Sequence, residues 1–189
     1  MDAFPYLSIL TSIVLGLGIT RVLTGCGRLL QVHVVAQLYW VHLLWAFNVF
    51  LFMVLSWWIL FRWRFQSEWT FFIFLFVLLS PTVSFLLSVI LFPDEMENHI
   101  DLKQHFYANR RWFFTLAALL APIDAIDTLL KGWDHFVAQG SVYLLTLSLV
   151  FVLSLVASVT RNEKYHSFFA IFFLVYILAF ISINLLVLG

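Results

Sequence analysis

Charge is what this sequence has least of. Lys and Arg number 10 and Asp and Glu 10, so 11% of the 189 residues are charged, against about 25% in a soluble domain. The two signs cancel to a formal net charge of zero, which removes the basic surplus that nucleic acid would require. One cysteine, Cys26, excludes a disulfide within the chain. A glycine-rich phosphate loop, a GxSxG elbow, an H-E-x-x-H pair and a cysteine-based site are all missing. Neither a cofactor nor a metal is therefore expected. The short alternating segments of a membrane β-barrel are missing too.

In their place stand long apolar runs. Hydrophobic residues make up 63% of the chain and aromatics 19%, with 22 Phe and 8 Trp, and mean hydropathy is +1.02. That combination excludes a soluble domain and a disordered tail. About 20 apolar residues of helix cross a hydrocarbon core of about 30 Å. Six runs qualify: Phe4 to Val22 (with helix possible to Leu30), a stretch within Val34–Phe61, Trp69–Phe92, Trp112–Leu130, Val142–Val159 and His166–Leu188. The expected fold is all-α, a six-transmembrane-helix bundle forming one domain over residues 1–189. The fourth run carries Asp124 and Asp127 in its second half, so five spans plus a re-entrant segment is the alternative. Seven of the eight Trp, all but Trp45, fall near the ends of runs, as interfacial belts require. Leu23-Thr24-Gly25-Cys26 resembles a lipobox, but Arg21 interrupts the apolar run before it and no positive n-region precedes it. The chain is expected to keep its first helix.

Lipid is as apolar as leucine, so helices associate through small and polar residues. Ser8, Ser12, Gly16, Thr20 and Thr24 recur every four residues in the first run, and Thr11, Gly18 and Gly25 every seven. This predicts a first helix clasped by neighbours on two sides. Ser80, Ser84 and Ser88 repeat the device in the third run, with a kink expected at Pro81. Asn184 in the sixth run reads as interhelical glue.

Ionisable groups inside spans mark sites by default. Arg21 ends the first run, either as a snorkelling anchor or as a partner for a buried carboxylate. Asp124 and Asp127 share a helical face, and Lys131 follows Asp127 at i, i+4. They read either as the solvated end of a helix or as a buried pair that binds a cation or relays protons. His42, Trp45 and Asn48, three residues apart, share a face of the second helix, and His42 titrates near neutrality. Residues 93–111 read as the one sizeable cytoplasmic or interfacial loop, holding Glu95/His99 and Asp101/His105 at i, i+4 and the Arg110-Arg111 pair.

Three stretches resemble an uncharacterised family of small bacterial multi-spanning integral membrane proteins. They are Gly16-Leu17-Gly18 with Thr24-Gly25 and Arg28-Leu29-Leu30, then Tyr39-Trp40-Val41-His42 with Trp45, and Asp101-Leu102 through His105-Phe106 to Asn109-Arg110-Arg111-Trp112-Phe113-Phe114. The resemblance implies a bacterial inner (cytoplasmic) membrane and no particular chemistry. Lys and Arg concentrate in the first, third and fifth connections, which favours N-out and C-out termini, although Arg62 and Arg64 in the second weigh the other way.

Two functions follow as expectations. The first is a small ion or proton channel or transport-type protein, homo-oligomeric in the bilayer, with Arg21, His42, Asn48, Asp124 and Asp127 along its path. The second is a non-catalytic subunit that docks a cytoplasmic protein partner through His99, Asp101, His105, Arg110 and Arg111. An intramembrane enzyme would need His and Asp side chains to converge within hydrogen-bond reach. Nucleic acid is not expected as a partner.

Overall fold

The computed structural model describes residues 4–30, 35–66, 68–93 and 99–184. Six stretches are long and apolar enough to cross a membrane: Phe4–Leu30, Trp40–Phe65, Phe71–Leu91, Leu102–Leu130, Gly140–Val159 and Glu163–Ile183. The chain is a multi-pass, all-α membrane protein.

The first stretch is helix α1 (Phe4–Leu30). The second is α2 (Trp40–Ile59), continued by a tighter 3-10 turn at Leu60–Phe65. The third is split into α3 (Phe71–Val77) and α4 (Leu79–Leu91). The break falls one turn before Pro81, where the ring removes a donor and crowds the carbonyl four residues back. The fourth is α5 (Leu102–Leu130), which runs unbroken through Pro122, so the re-entrant alternative falls. A short α6 (Trp133–Ala138) leads to α7 (Gly140–Val159) and α8 (Glu163–Asn184). Strands β1 (Val35–Gln37) and β2 (His99–Asp101) pair in parallel and tie two connections together.

The beginning of α5 corrects one expectation. Residues 102–111 are not loop but the first turns of α5, and residues 94–98 lie outside the described residues. Lys103, Arg110 and Arg111 dilute the apolar pattern there, yet the helix is well launched. Asp101 accepts hydrogen bonds from the backbone of Lys103 (2.8 Å) and Gln104 (2.9 Å), capping the helix N-terminus. Twenty-nine residues span about 43 Å at 1.5 Å each, more than the hydrocarbon core.

The helices close into a ring. α1 packs on α4 and α2, α4 on α5, α5 on α7, and α8 on α2, with α2 also crossing to α4. α7 and α8 follow one another in the chain but touch over only a short stretch, whereas α7 packs along α5. α1 buries Leu7, Thr11, Leu15, Gly18, Val22 and Gly25. The small-residue row every seven is thus its main seam. A Cβ at Gly18 would lie 2.7 Å from Met53 Sδ, and one at Gly25 would lie 2.3 Å from carbons of the Phe92 ring. The row every four is less enclosed: Ser12 accepts a hydrogen bond from the Trp57 indole (2.9 Å), and nothing lies within 4 Å of a Cβ at Gly16. In α4, Ser84 and Ser88 are buried with their hydroxyls bonded to Ser80 and Phe85 carbonyls of their own helix.

Candidate functional site

A cavity of about 190 Å³ lies inside the ring, lined mainly by α2, α4, α5, α7 and α8. Its rim is built where α5 turns back through α6 into α7. Gly132 makes that turn with φ 127° and ψ 149°, a region open in practice only to glycine, and Gly140 starts α7 at φ 74°. The connection folds α7 back along α5, so residues on either side of it come face to face. Asp124 meets Tyr143, whose hydroxyl donates to Asp124 Oδ2 (2.7 Å). That hydroxyl has one proton, so Thr128, 3.0 Å away, donates to the Tyr143 oxygen in turn.

Asp127 is held differently. The Trp63 indole donates to its Oδ1 (2.9 Å), and the Lys131 ammonium forms an ion pair with Oδ2. Lys131 also lies 5.0 Å from the centre of the Trp63 ring, within cation–π range. Arg62, His135 and Gln139 complete the rim. His135, outside the spans, has its pKa held below the usual 6.5 by burial and then by the neighbouring charges of Lys131 and Arg62, with Asp127 opposing.

The walls are aromatic and aliphatic, with Trp63, Phe76, Phe173, Tyr176 and Phe180 among them. At the inner end Trp45 sits in a box of rings: Phe113 (5.5 Å), Phe114 (5.1 Å), Phe169 (5.2 Å) and Phe173 (5.4 Å). Most of these contacts are edge-on, the favoured geometry for such pairs. From Asp127 back to Phe113 along α5 is about 21 Å by helix rise, so the cavity reaches well into the span. Three polar side chains line it with no hydrogen-bond partner among the described residues: the Thr11 hydroxyl, the Trp45 indole N–H and the Ser154 hydroxyl. Each of these residues is 1–2% exposed. Left unpaired, such a group costs about 1–3 kcal/mol.

The residues expected along one conduction path are not brought together. Asp124 and Asp127 share the rim. His42 lies about 30 Å away along α2 and its continuation, by helix rise, buried beside His105 (ring centres 5.9 Å) and Phe92 (5.3 Å). Arg21 is at that same far end, where Nη2 donates to the Phe92 carbonyl at 3.4 Å, and it pairs with neither aspartate. Asn48 is buried and donates to the Ala170 carbonyl (2.9 Å), joining α2 to α8. Between the two groups stands the Trp45 box. The expected Asp127–Lys131 pair is present. Trp63, Thr128 and Tyr143 were not anticipated. Nothing in the sequence marks Tyr143, which lies 19 residues from Asp124 on the far side of the connection.

Most of the residues expected to dock a partner make contacts within the chain. Asp101 is used as a helix cap. His105 Nε2 donates to the Ile90 carbonyl (3.0 Å). Arg110 is buried and donates to the carbonyls of Tyr107 (2.7 Å) and Thr160 (3.1 Å), with Val159 at 3.5 Å. It therefore neutralises the C-terminal end of α7, where helix carbonyls lack partners. Only Arg111 of these four is exposed. The side chains of His99 and Asn184 lie outside the described residues.

Fold and cavity together define a polytopic helical membrane protein with a cavity among its spans. Comparison with protein-family models, with curated proteins and with solved structures finds no match for this chain.

Proposed function

We propose that this protein is of the transport type and that its cavity takes up a small amphipathic molecule from one side of the membrane. The observation that carries the reading is the pocket's polarity along its length. It is charged at the rim (Asp124, Asp127, Lys131, Arg62), apolar along the walls, and stopped at Trp45. Binding sites for small molecules combine such apolar walls with a few polar groups that orient the guest. An ion channel needs a continuous polar path, and the Trp45 box interrupts the one between Asp124 and His42. The distribution of basic residues supports an orientation with the rim outward: Arg62, Arg64 and Lys131 lie at its end, against Arg28, Lys103, Arg110, Arg111, Arg161 and Lys164 at the other.

The test is solvent access from each side. With Cys26 replaced by Ser, Leu147→Cys puts a single thiol on the cavity wall. A membrane-impermeant maleimide should label it when added on the Asp124 side of sealed vesicles and not from the other side. Labelling from neither side would make the cavity a packing gap. Labelling from both sides, with ion flux lost in Asp124→Asn, would restore the channel reading.

A further inference from the structure

The two carboxylates of the rim have different company, and the difference names a ligand class. Asp127 is matched by the ammonium of Lys131 and by the Trp63 indole. Among the described residues the Asp124 carboxylate is hydrogen-bonded by the neutral hydroxyl of Tyr143 alone. The charges of Lys131 and Arg62 reach it through space, without an ion pair between either of them and Asp124 among the described residues. Asp124 is exposed toward the cavity, and a carboxylate open to a guest between largely apolar, aromatic walls gains most from a cation brought close to it. The faces of the surrounding rings, Trp63, Phe173 and Tyr176, attract the same kind of charge.

A second and independent feature lies deeper. The Trp45 N–H and the hydroxyls of Thr11 and Ser154 are buried, line the cavity and meet no hydrogen-bond partner among the described residues. A pure hydrocarbon would leave them unsatisfied, whereas a guest with a carbonyl, ether or hydroxyl oxygen along its body would answer them.

We infer that the cavity binds a hydrophobic organic cation, an amine or aromatic cation, with Asp124 as its counter-charge. The inference rests on reading the cavity as a substrate site. An inorganic cation would find one carboxylate and few oxygens, too poor a shell for a hard ion. A lipid anion would meet Asp124 first and be repelled.

Two ions of the same shape and opposite charge decide the matter. Tetraphenylphosphonium and tetraphenylborate are titrated against the purified full-length chain in nanodiscs, with saturable quenching of tryptophan fluorescence as the readout. The phosphonium should bind at least tenfold more tightly than the borate. Asp124→Asn should weaken the phosphonium at least tenfold without weakening the borate, while Asp124→Glu should keep most of the binding. Asp127→Asn should cost only a few-fold. Equal or tighter binding of the borate overturns the proposal, as does phosphonium binding indifferent to Asp124→Asn. Should Asp124→Asn fail to fold, the comparison of the two probes on the unaltered chain still decides.

The two readings fail separately. Saturable borate binding that Leu147→Trp abolishes would leave a substrate site with the wrong charge assigned to it. Neither ion binding, together with no maleimide access to the cavity, would overturn the substrate site and the cation together.

Discussion

The two ends of the bundle carry similar side chains in opposite circumstances. At one end, Arg110, His166 and Thr160 are joined by hydrogen bonds within the chain. Arg110 and His166 both donate to the Thr160 carbonyl (3.1 Å each), and His166 stacks on Phe114 (5.3 Å). Lys103 of α5 pairs with Glu163 of α8 nearby. At the other end, Asp124 and Asp127 face an open cavity. A buried charge surrounded by its own chain's carbonyls is architecture. A charge whose unfilled side faces a cavity is free to serve a guest. Counting ionisable residues in spans would have ranked the two ends alike.

The comparison breaks most visibly at Arg110. Arg110→Met removes the donor from the Val159 carbonyl and leaves the Thr160 carbonyl to His166 alone, at an expected cost of about 1–3 kcal/mol. Arg110→Lys should recover only part, since one ammonium cannot fork to several carbonyls. Asp124→Asn, at the open end, should change stability by less than about 1 kcal/mol. Denaturant unfolding in mixed micelles measures all three. If the ranking is reversed, the division into a structural end and a functional end is wrong.

Packing sharpens the contrast along α1. Gly25→Ala drives a methyl into the Phe92 ring, and overpacking of this kind costs about 1–3 kcal/mol. Gly16→Ala meets open space and should be neutral or slightly stabilising, since alanine favours helix. A smaller effect is expected midway between the ends. Asn48→Leu removes the bond to Ala170, worth about 0.6 kcal/mol on average for such contacts between membrane helices. Thermal unfolding followed by circular dichroism would detect each, and equal effects at Gly16 and Gly25 would contradict the seam.

Much of this architecture is legible in the chain, and the misses have physical causes. Apolar runs mark the six spans because lipid demands them, and Pro81 marks its break because a proline cannot donate. The Asp127–Lys131 pair is legible because helical spacing is local. The start of α5 at Leu102 is not, since a helix rich in Lys103, Arg110 and Arg111 looks like a solvated loop until its partners are known. Those partners, Thr160 and Glu163, lie 50 or more residues away. The same distance in sequence hides Trp63 from Asp127. Asp124 and Asp127 are visible as a pair, but the inequality between them, on which the ligand class turns, depends on those remote contacts.

The smallest expected effect concerns His135, at the edge of the rim. Burial lowers its pKa from 6.5, and the positive charges of Lys131 and Arg62 add to the shift. In the folded protein its titration midpoint, followed by NMR of a ring-labelled histidine, should therefore fall below 6.5. Lys131→Met should bring it part of the way back, because burial, the larger cause, remains. The unfolded chain takes up its proton at the ordinary value and the folded one does so later. The contribution of His135 to stability is thus fully present above about pH 6.5 and declines as pH falls from there toward the folded midpoint. Below that midpoint both states carry the proton and the decline stops. His135→Gln should remove this part of the acid sensitivity while leaving that of the opposite end, where His166 is buried, unchanged. A midpoint above 6.5, or one that Lys131→Met lowers further, would mean that Asp127 rather than Lys131 governs the field at the rim, and that the ion pair there is not the neutralised one that leaves Asp124 as the charge in need of a partner.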